Sequence, residues 1–388
     1  MTLKIHIISG GRADYYLLKN LYEKIQKTKK KFNTKFIVTG SHLSRRHGNT
    51  IDQIYKDKIN VFKKINIKIY SDSPYDISNN ISLGIKKFSS FFKKNKTDLI
   101  IVLGDRYEIF SAVIAAHISS IPIVHIHGGE STFGAIDDAI RHSITKMANI
   151  HFVANEIYKK RVIQLGENPK NVINVGGLGV DNIQIKELFK KKEIEKKLNI
   201  KFLKKNLLIT FHPETNSLNK QTIIPILKAL KKLKDTNFFF TIPNADTYNL
   251  RILKEIKHFQ KNNKNCKIFS SLGMKMYHSL ITLCDAVIGN SSSGMAEVPY
   301  FKKPTINIGN RQDGRIRVKS IIDVKMEEKN INNAIKKIFA RNFRLEFKNI
   351  QSPYGKGGAS KKIVDYLQKI KKKDLKKIKY KIFFDLKN

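Results

Sequence analysis

Tryptophan is missing from the 388 residues, and only two cysteines, Cys266 and Cys284, are present. Two thiols exclude a disulfide framework and a thiolate metal cluster. No uninterrupted apolar run approaches the ~18 residues needed to cross a membrane. The amino terminus, MTLKIHIISGG, turns into a strand and a glycine turn and lacks a cleavage pattern, so a soluble cytoplasmic protein is expected. Acidic residues are scarce: 32 Asp and Glu stand against 74 Lys and Arg, a net charge of +42. Arginine is scarce within that excess, at 12 of the 74.

The charge raises a nucleic-acid hypothesis, because basic stripes bind phosphate backbones. The lysines are scattered in pairs and triplets among abundant Ile and Asn, with no single patch. That is compositional drift, and no nucleic-acid partner is expected. The most basic piece, 361–387, reads as a solvated helix face. The arginines behave differently. Arg12, Arg106, Arg141, Arg311, Arg315 and Arg317 fall inside glycine-rich or acid-rich motifs. Arginine offers a planar bidentate grip on phosphate or carboxylate that lysine cannot copy.

An apolar content of 41% supports globular packing, and the length suits two domains. Strand patterns at 4–9, 35–39, 98–103, 121–126, 150–153 and 172–175 alternate with amphipathic helical stretches such as 16–27 and 135–148. Alternating strands and helices imply a parallel sheet covered on both faces. The charged, glycine-free stretch 183–206 reads as a connection, and a second series follows at 207–211, 237–242, 267–270, 286–289 and 304–308. The expected fold is α/β and GT-B-like: two Rossmann-like domains whose parallel sheets face a central cleft. The divisions are 1–182, 183–360 and a basic carboxyl-terminal segment, 361–388, with the option of packing back on the first domain.

In open α/β sheets, ligands bind at the carboxyl ends of the strands. The strand DLIIVLG ends in Gly104-Asp105-Arg106, and IPIVHIHGG ends in His127-Gly128-Gly129-Glu130. Asp105, Glu130, Asp137 and Asp138 lie on neighbouring loops with His125, His127 and His142. Carboxylates in unlike environments divide acid and base roles. A metal site is the competing reading, although no compact ligand triad appears. For Asp137 the competing role is a helix cap. The first turn, Gly10-Gly11-Arg12-Ala13-Asp14, admits a phosphate at a helix amino terminus or serves only as a tight turn. His42, ending a strand, reads by itself as structural. In the second half, His212, Asn244 and the turn Asn290-Ser291-Ser292-Ser293 each follow a strand. Hydroxyl and N–H groups at that turn suit a diphosphate, Glu297 suits ribose hydroxyls, and Arg311 and Arg315 follow the next strand.

Taken together, GRADYY, VTGSHLS, LGDRYEIF, HIHGGE, IDDAIRHSITK, TFHPET, GNSSSGMAEVP and INIGNRQDGRIR resemble the UDP-N-acetylglucosamine 2-epimerases over 4–367, in particular the hydrolysing branch of sialic-acid biosynthesis. The resemblance implies elimination of UDP from UDP-N-acetylglucosamine to a 2-acetamidoglucal, then hydration to N-acetylmannosamine. It implies no metal or redox cofactor, a UDP-sugar as partner, and a dimer or tetramer. Carried over by position, Asp105, Asp137, Glu130 and His127 are the catalytic group. Arg12, His42, Arg106, His212, Asn244, Ser292, Ser293, Glu297 and Arg311 are the substrate-binding group. His127 stands where animal and nonhydrolysing relatives have glutamate, and Tyr16 where the animal relatives have serine. The same chemistry on UDP-N,N′-diacetylbacillosamine is the main alternative. A nonhydrolysing epimerase and a GT-B glycosyltransferase are more distant ones.

Overall fold

In the computed structural model, residues 2–28, 31–44, 49–69, 73–133, 136–181, 183, 187–212, 222–242, 249–269, 272–347 and 349–386 are described. They form two compact units. One contains 1–182 and 357–388, the other 183–356.

Seven strands build the first unit: β1 (Leu3–Ser9), β2 (Phe32–Thr39), β3 (Val61–Ile65), β4 (Leu99–Leu103), β5 (Ile123–Ile126), β6 (Ile150–Val153) and β7 (Val172–Asn174). All pair in parallel, in the order β3-β2-β1-β4-β5-β6-β7. The central strands are apolar without a break because both faces are covered; every residue of β4, LIIVL, is buried. Successive side chains point to opposite faces. Ile5, Ile7, Ile101 and Leu103 therefore join one core, while Ile8, Ile100 and Val102 join the other.

Local chemistry starts the covering helices. Ser73 Oγ accepts the Asp76 N–H, with Pro74 in the first helical position of Pro74–Lys94. Asn155 caps Glu156–Gln164 through the Tyr158 N–H. The carboxyl-terminal helix Ala359–Leu367 is capped from elsewhere in the unit: Asp181 accepts the Gly358 and Ser360 N–H groups at 2.5 and 2.9 Å. Its Ala359, Ile363, Val364 and Leu367 enter the first core.

Beyond that helix most lysines of the basic tail are exposed, as the sequence suggests, and Lys381 is the departure. Lys381 Nζ lies 2.7 Å from Glu167 Oε2 and donates to the Lys146 and Ala148 carbonyls at the end of the helix Ile136–Met147. Glu167 also pairs with Lys146 at 2.8 Å and with buried His151 at 2.9 Å. Phe384 N–H donates to the Gly166 carbonyl, and Phe383 fills the space beside that glycine.

The second unit has six parallel strands: β8 (Lys205–Thr210), β9 (Thr236–Thr241), β10 (Cys266–Phe269), β11 (Ala286–Gly289), β12 (Thr305–Ile308) and β13 (Ile321–Val324). Their order is β10-β9-β8-β11-β12-β13. The stretch read as a connection, 183–206, contributes a helix, Lys191–Leu198, whose Ile194 is buried with Leu208 and Phe239. Each sheet reverses its strand order once, between β1 and β4 and between β8 and β11. Such switch points open a crevice outside the carboxyl ends of the strands.

Candidate active site

At the first switch point, β1 runs into Gly10 and Gly11 and then the helix Arg12–Gln26. Arg12 is exposed at the first position of that helix. Buried Asp14 accepts the Gly10 N–H at 3.2 Å, and burial, reinforced by Glu108 and opposed by Arg106, pushes its carboxyl up to about 6. From the loop after β4, Arg106 Nε reaches Glu108 Oε1 at 2.6 Å. His42 is wholly buried beneath this turn. Its Nε2 lies 2.8 Å from Ser9 Oγ, its Nδ1 2.8 Å from Thr50 Oγ1, and burial, then Arg106, lowers it to about 4. Both ring nitrogens are engaged with protein, as a structural histidine requires.

A second cluster forms where β4 and β5 end. Arg141, on the helix Ile136–Met147, is buried and ion-paired with Asp105. Its Nη1 also donates to the Glu130 carbonyl at 3.0 Å and to Asp138 Oδ1 at 3.3 Å. Asp138 accepts further from the Thr132 N–H at 2.7 Å and from Ser131 Oγ at 3.3 Å. Arg141 thus fixes two carboxylates and the backbone carrying a third. His127 Nδ1 lies 3.3 Å from Glu130 Oε1, while the Leu178 N–H donates to its Nε2 at 3.3 Å. An accepting Nε2 places the proton of a neutral ring on Nδ1, pointed at the glutamate. His127 has φ +65°, in the left-handed region that non-glycine residues seldom adopt. Such backbone cost is met most often at functional positions. His125 is buried with Nε2 2.8 Å from the Gly104 carbonyl, and burial lowers it to about 3.

The structure brings Asp105, His127 and Glu130 into this arrangement. Asp137 is exposed in the first turn of its helix, while its neighbour Asp138 makes the bonds to Arg141 and Thr132. One position of register on a helix turns a side chain by roughly 100°, which the motif IDD alone does not resolve.

At the second switch point, His212 and Asn290 interlock after β8 and β11. The His212 N–H donates to Asn290 Oδ1 at 2.7 Å, and Asn290 Nδ2 donates to the His212 carbonyl at 2.8 Å. Gly289, with φ +136°, lets this strand pass against the Thr210 carbonyl where any Cβ would collide. From beyond β12, Arg311 Nη1 reaches the Asn290 carbonyl at 3.2 Å. His212 is lowered to about 3 by burial and then by Arg311. Ser292 caps the short helix Ser293–Ala296 by position, and Ser293 Oγ donates to Glu297 Oε2 at 2.8 Å. Tyr277 Oη in turn donates to Ser293 Oγ at 3.1 Å. Asn244 lies outside the described residues.

Sequence reasoning passed over Asp14, Glu108 and Tyr277. The first two carried a signal: each is an acid in the first turn of a helix that follows a glycine-rich strand end. Tyr277 carried none, since its partner is 16 residues away.

Two parallel-sheet α/β domains with polar clusters at both switch points define a protein of the GT-B-like class. The fold matches a solved UDP-GlcNAc 2-epimerase from Neisseria meningitidis bound to UDP-GlcNAc, with a TM-score of 0.81 at 21% identity, over 95% of this chain and 100% of that one. The family model described as UDP-N-acetylglucosamine 2-epimerase matches residues 23–368, and the chain belongs to that family. It is 43% identical over 344 residues to a Campylobacter jejuni protein named GDP/UDP-N,N′-diacetylbacillosamine 2-epimerase (hydrolyzing), covering 88% of each. It is 40% identical over 390 residues to the Escherichia coli polysialic acid biosynthesis protein P7, covering 99% of this chain and 97% of the relative. The resemblance to the hydrolysing branch is borne out.

Proposed function

We propose that the chain is a hydrolysing UDP-N-acetylglucosamine 2-epimerase, converting UDP-N-acetylglucosamine and water to N-acetylmannosamine and UDP. The observation that carries this reading is the cluster in which Arg141 holds Asp105 and the Glu130 backbone beside His127. Anti elimination takes the C2 proton and releases UDP, leaving 2-acetamidoglucal. Water then adds at C1 while a proton returns to C2 on the opposite face. Asp105, Asp137 and His127 are assigned to proton transfer and Glu130 to the sugar. Arg12, Arg106, His212, Asn244, Ser292, Ser293, Glu297 and Arg311 are assigned to UDP, whose departing charge arginines and helix amino termini stabilise. His42 supports the turn beside them. A homo-oligomer in the cytoplasm, feeding sialic or nonulosonic acid synthesis, is part of the same proposal.

The name of the Campylobacter relative favours a second reading, the same chemistry on UDP-N,N′-diacetylbacillosamine. UDP release from the two sugar nucleotides, compared as kcat/KM, decides between them. A preference of ~10-fold or more, about 1.4 kcal/mol in transition-state binding, assigns the substrate; the first reading expects it for UDP-N-acetylglucosamine.

A further inference from the structure

We propose that Glu108 is the positioning residue for Arg106, holding the guanidinium so that it meets a pyrophosphate in one orientation. This rests on the reading above that the ligand is a UDP-sugar. Glu108 is wholly buried, with Oε1 2.6 Å from Arg106 Nε and no hydrogen-bond partner for Oε2 among the described residues. A buried carboxylate with so few partners is expensive to keep. Its place in the fold gives the reason.

The glycines of the first switch point are shaped around it. A Cβ on Gly10 would stand 2.6 Å from Glu108 Cγ, and one on Gly40 2.7 Å from Glu108 Oε1. A Cβ on Gly11 would stand 3.8 Å from Arg106 Nε, so the guanidinium lies along the turn itself. Arg106 is half-exposed, and its Nη1 and Nη2 make no hydrogen bond among the described residues. Gripped at Nε, the guanidinium keeps both Nη groups in one fixed plane, the fork that fits two phosphate oxygens. Glu108 touches no ligand; it acts through Arg106.

The test is a double-mutant cycle on UDP affinity, measured by titration calorimetry. Glu108→Ala weakens UDP binding by ~10-fold, while the same change in an Arg106→Ala background alters it by less than ~2-fold, since coupled partners do not add. Two conservative variants separate reach from charge. Glu108→Gln keeps an oxygen for the Nε–H and binds UDP within ~3-fold of wild type, whereas Glu108→Asp keeps the charge but withdraws it and loses ~10-fold. They also serve where the alanine variant does not fold. An equal loss in both Arg106 backgrounds, or Glu108→Asp binding better than Glu108→Gln, overturns the inference and leaves the function standing. Absence of UDP binding by the wild-type chain overturns both.

Discussion

Asp105 and Arg141 show how one ion pair organises an acid–base site. The guanidinium is buried on the helix Ile136–Met147 and reaches Asp105, Asp138 and the Glu130 carbonyl from a single position. Planarity and five donors make this an arginine task. Asp105→Asn keeps the shape and removes the proton acceptor. UDP affinity should stay within ~3-fold of wild type while kcat falls by ~10²-fold or more; undiminished turnover would remove Asp105 from proton transfer. At this scale the sequence was legible where a residue type is costly to place. Arg106, Arg141 and Arg311 stood out against a lysine-rich background, and all three make contacts at strand ends. Side-chain direction was not legible. Asp137 and Asp138 are adjacent and identical in type, so only the helix phase decides which of them reaches Arg141 and the Thr132 N–H. His42 carried no sign of which way its ring would turn.

Among the elements, the carboxyl-terminal segment does the least expected thing. Lysines spaced through 361–387 read as a solvated face, yet Lys381 carries its charge onto Glu167 and the last carbonyls of the helix Ile136–Met147. A cation at a helix carboxyl terminus is favoured by the helix dipole. The same helix holds Arg141 and Asp138 near its other end, so the tail braces the element that orders the acid–base cluster. Burial would push the Glu167 carboxyl up, but His151, Lys146 and Lys381 together hold it below its usual value. Lys381→Met should lower stability in urea unfolding by about 2 kcal/mol at neutral pH, the range for hydrogen bonds to charged groups. A carboxyl lowered by folding stabilises above its usual range and loses that contribution as pH falls through the folded value. The difference between wild type and Lys381→Met should therefore shrink as the pH falls below the usual glutamate range. An equal difference above and below that range would contradict the pairing.

The whole molecule comprises two parallel-sheet units whose polar clusters gather at the strand-order reversals. The alternation of apolar runs and helical periods made both sheets legible, because central parallel strands are apolar throughout, as LIIVL is. Strands β3 and β13 were not legible. Both lie at sheet edges, and their sequences, VFKKI and IIDV, are mostly exposed or half-buried. Charged residues on edges are how sheets avoid pairing with other chains, and they erase the run that marks a strand. Two of the chain's lysines, Lys63 and Lys64, sit there in β3. Each glycine-rich turn was visible as a motif, but the bond between Arg106 and Glu108 and the interlock of His212 with Asn290 required the strand order first.

The proposed chemistry is elimination at C2 followed by hydration. Product analysis by NMR after incubation of the purified chain with UDP-N-acetylglucosamine in D₂O tests it most directly. UDP and free N-acetylmannosamine carrying deuterium at C2 are the expected products. Retained protium at C2, or UDP-N-acetylmannosamine as the released product, would contradict it.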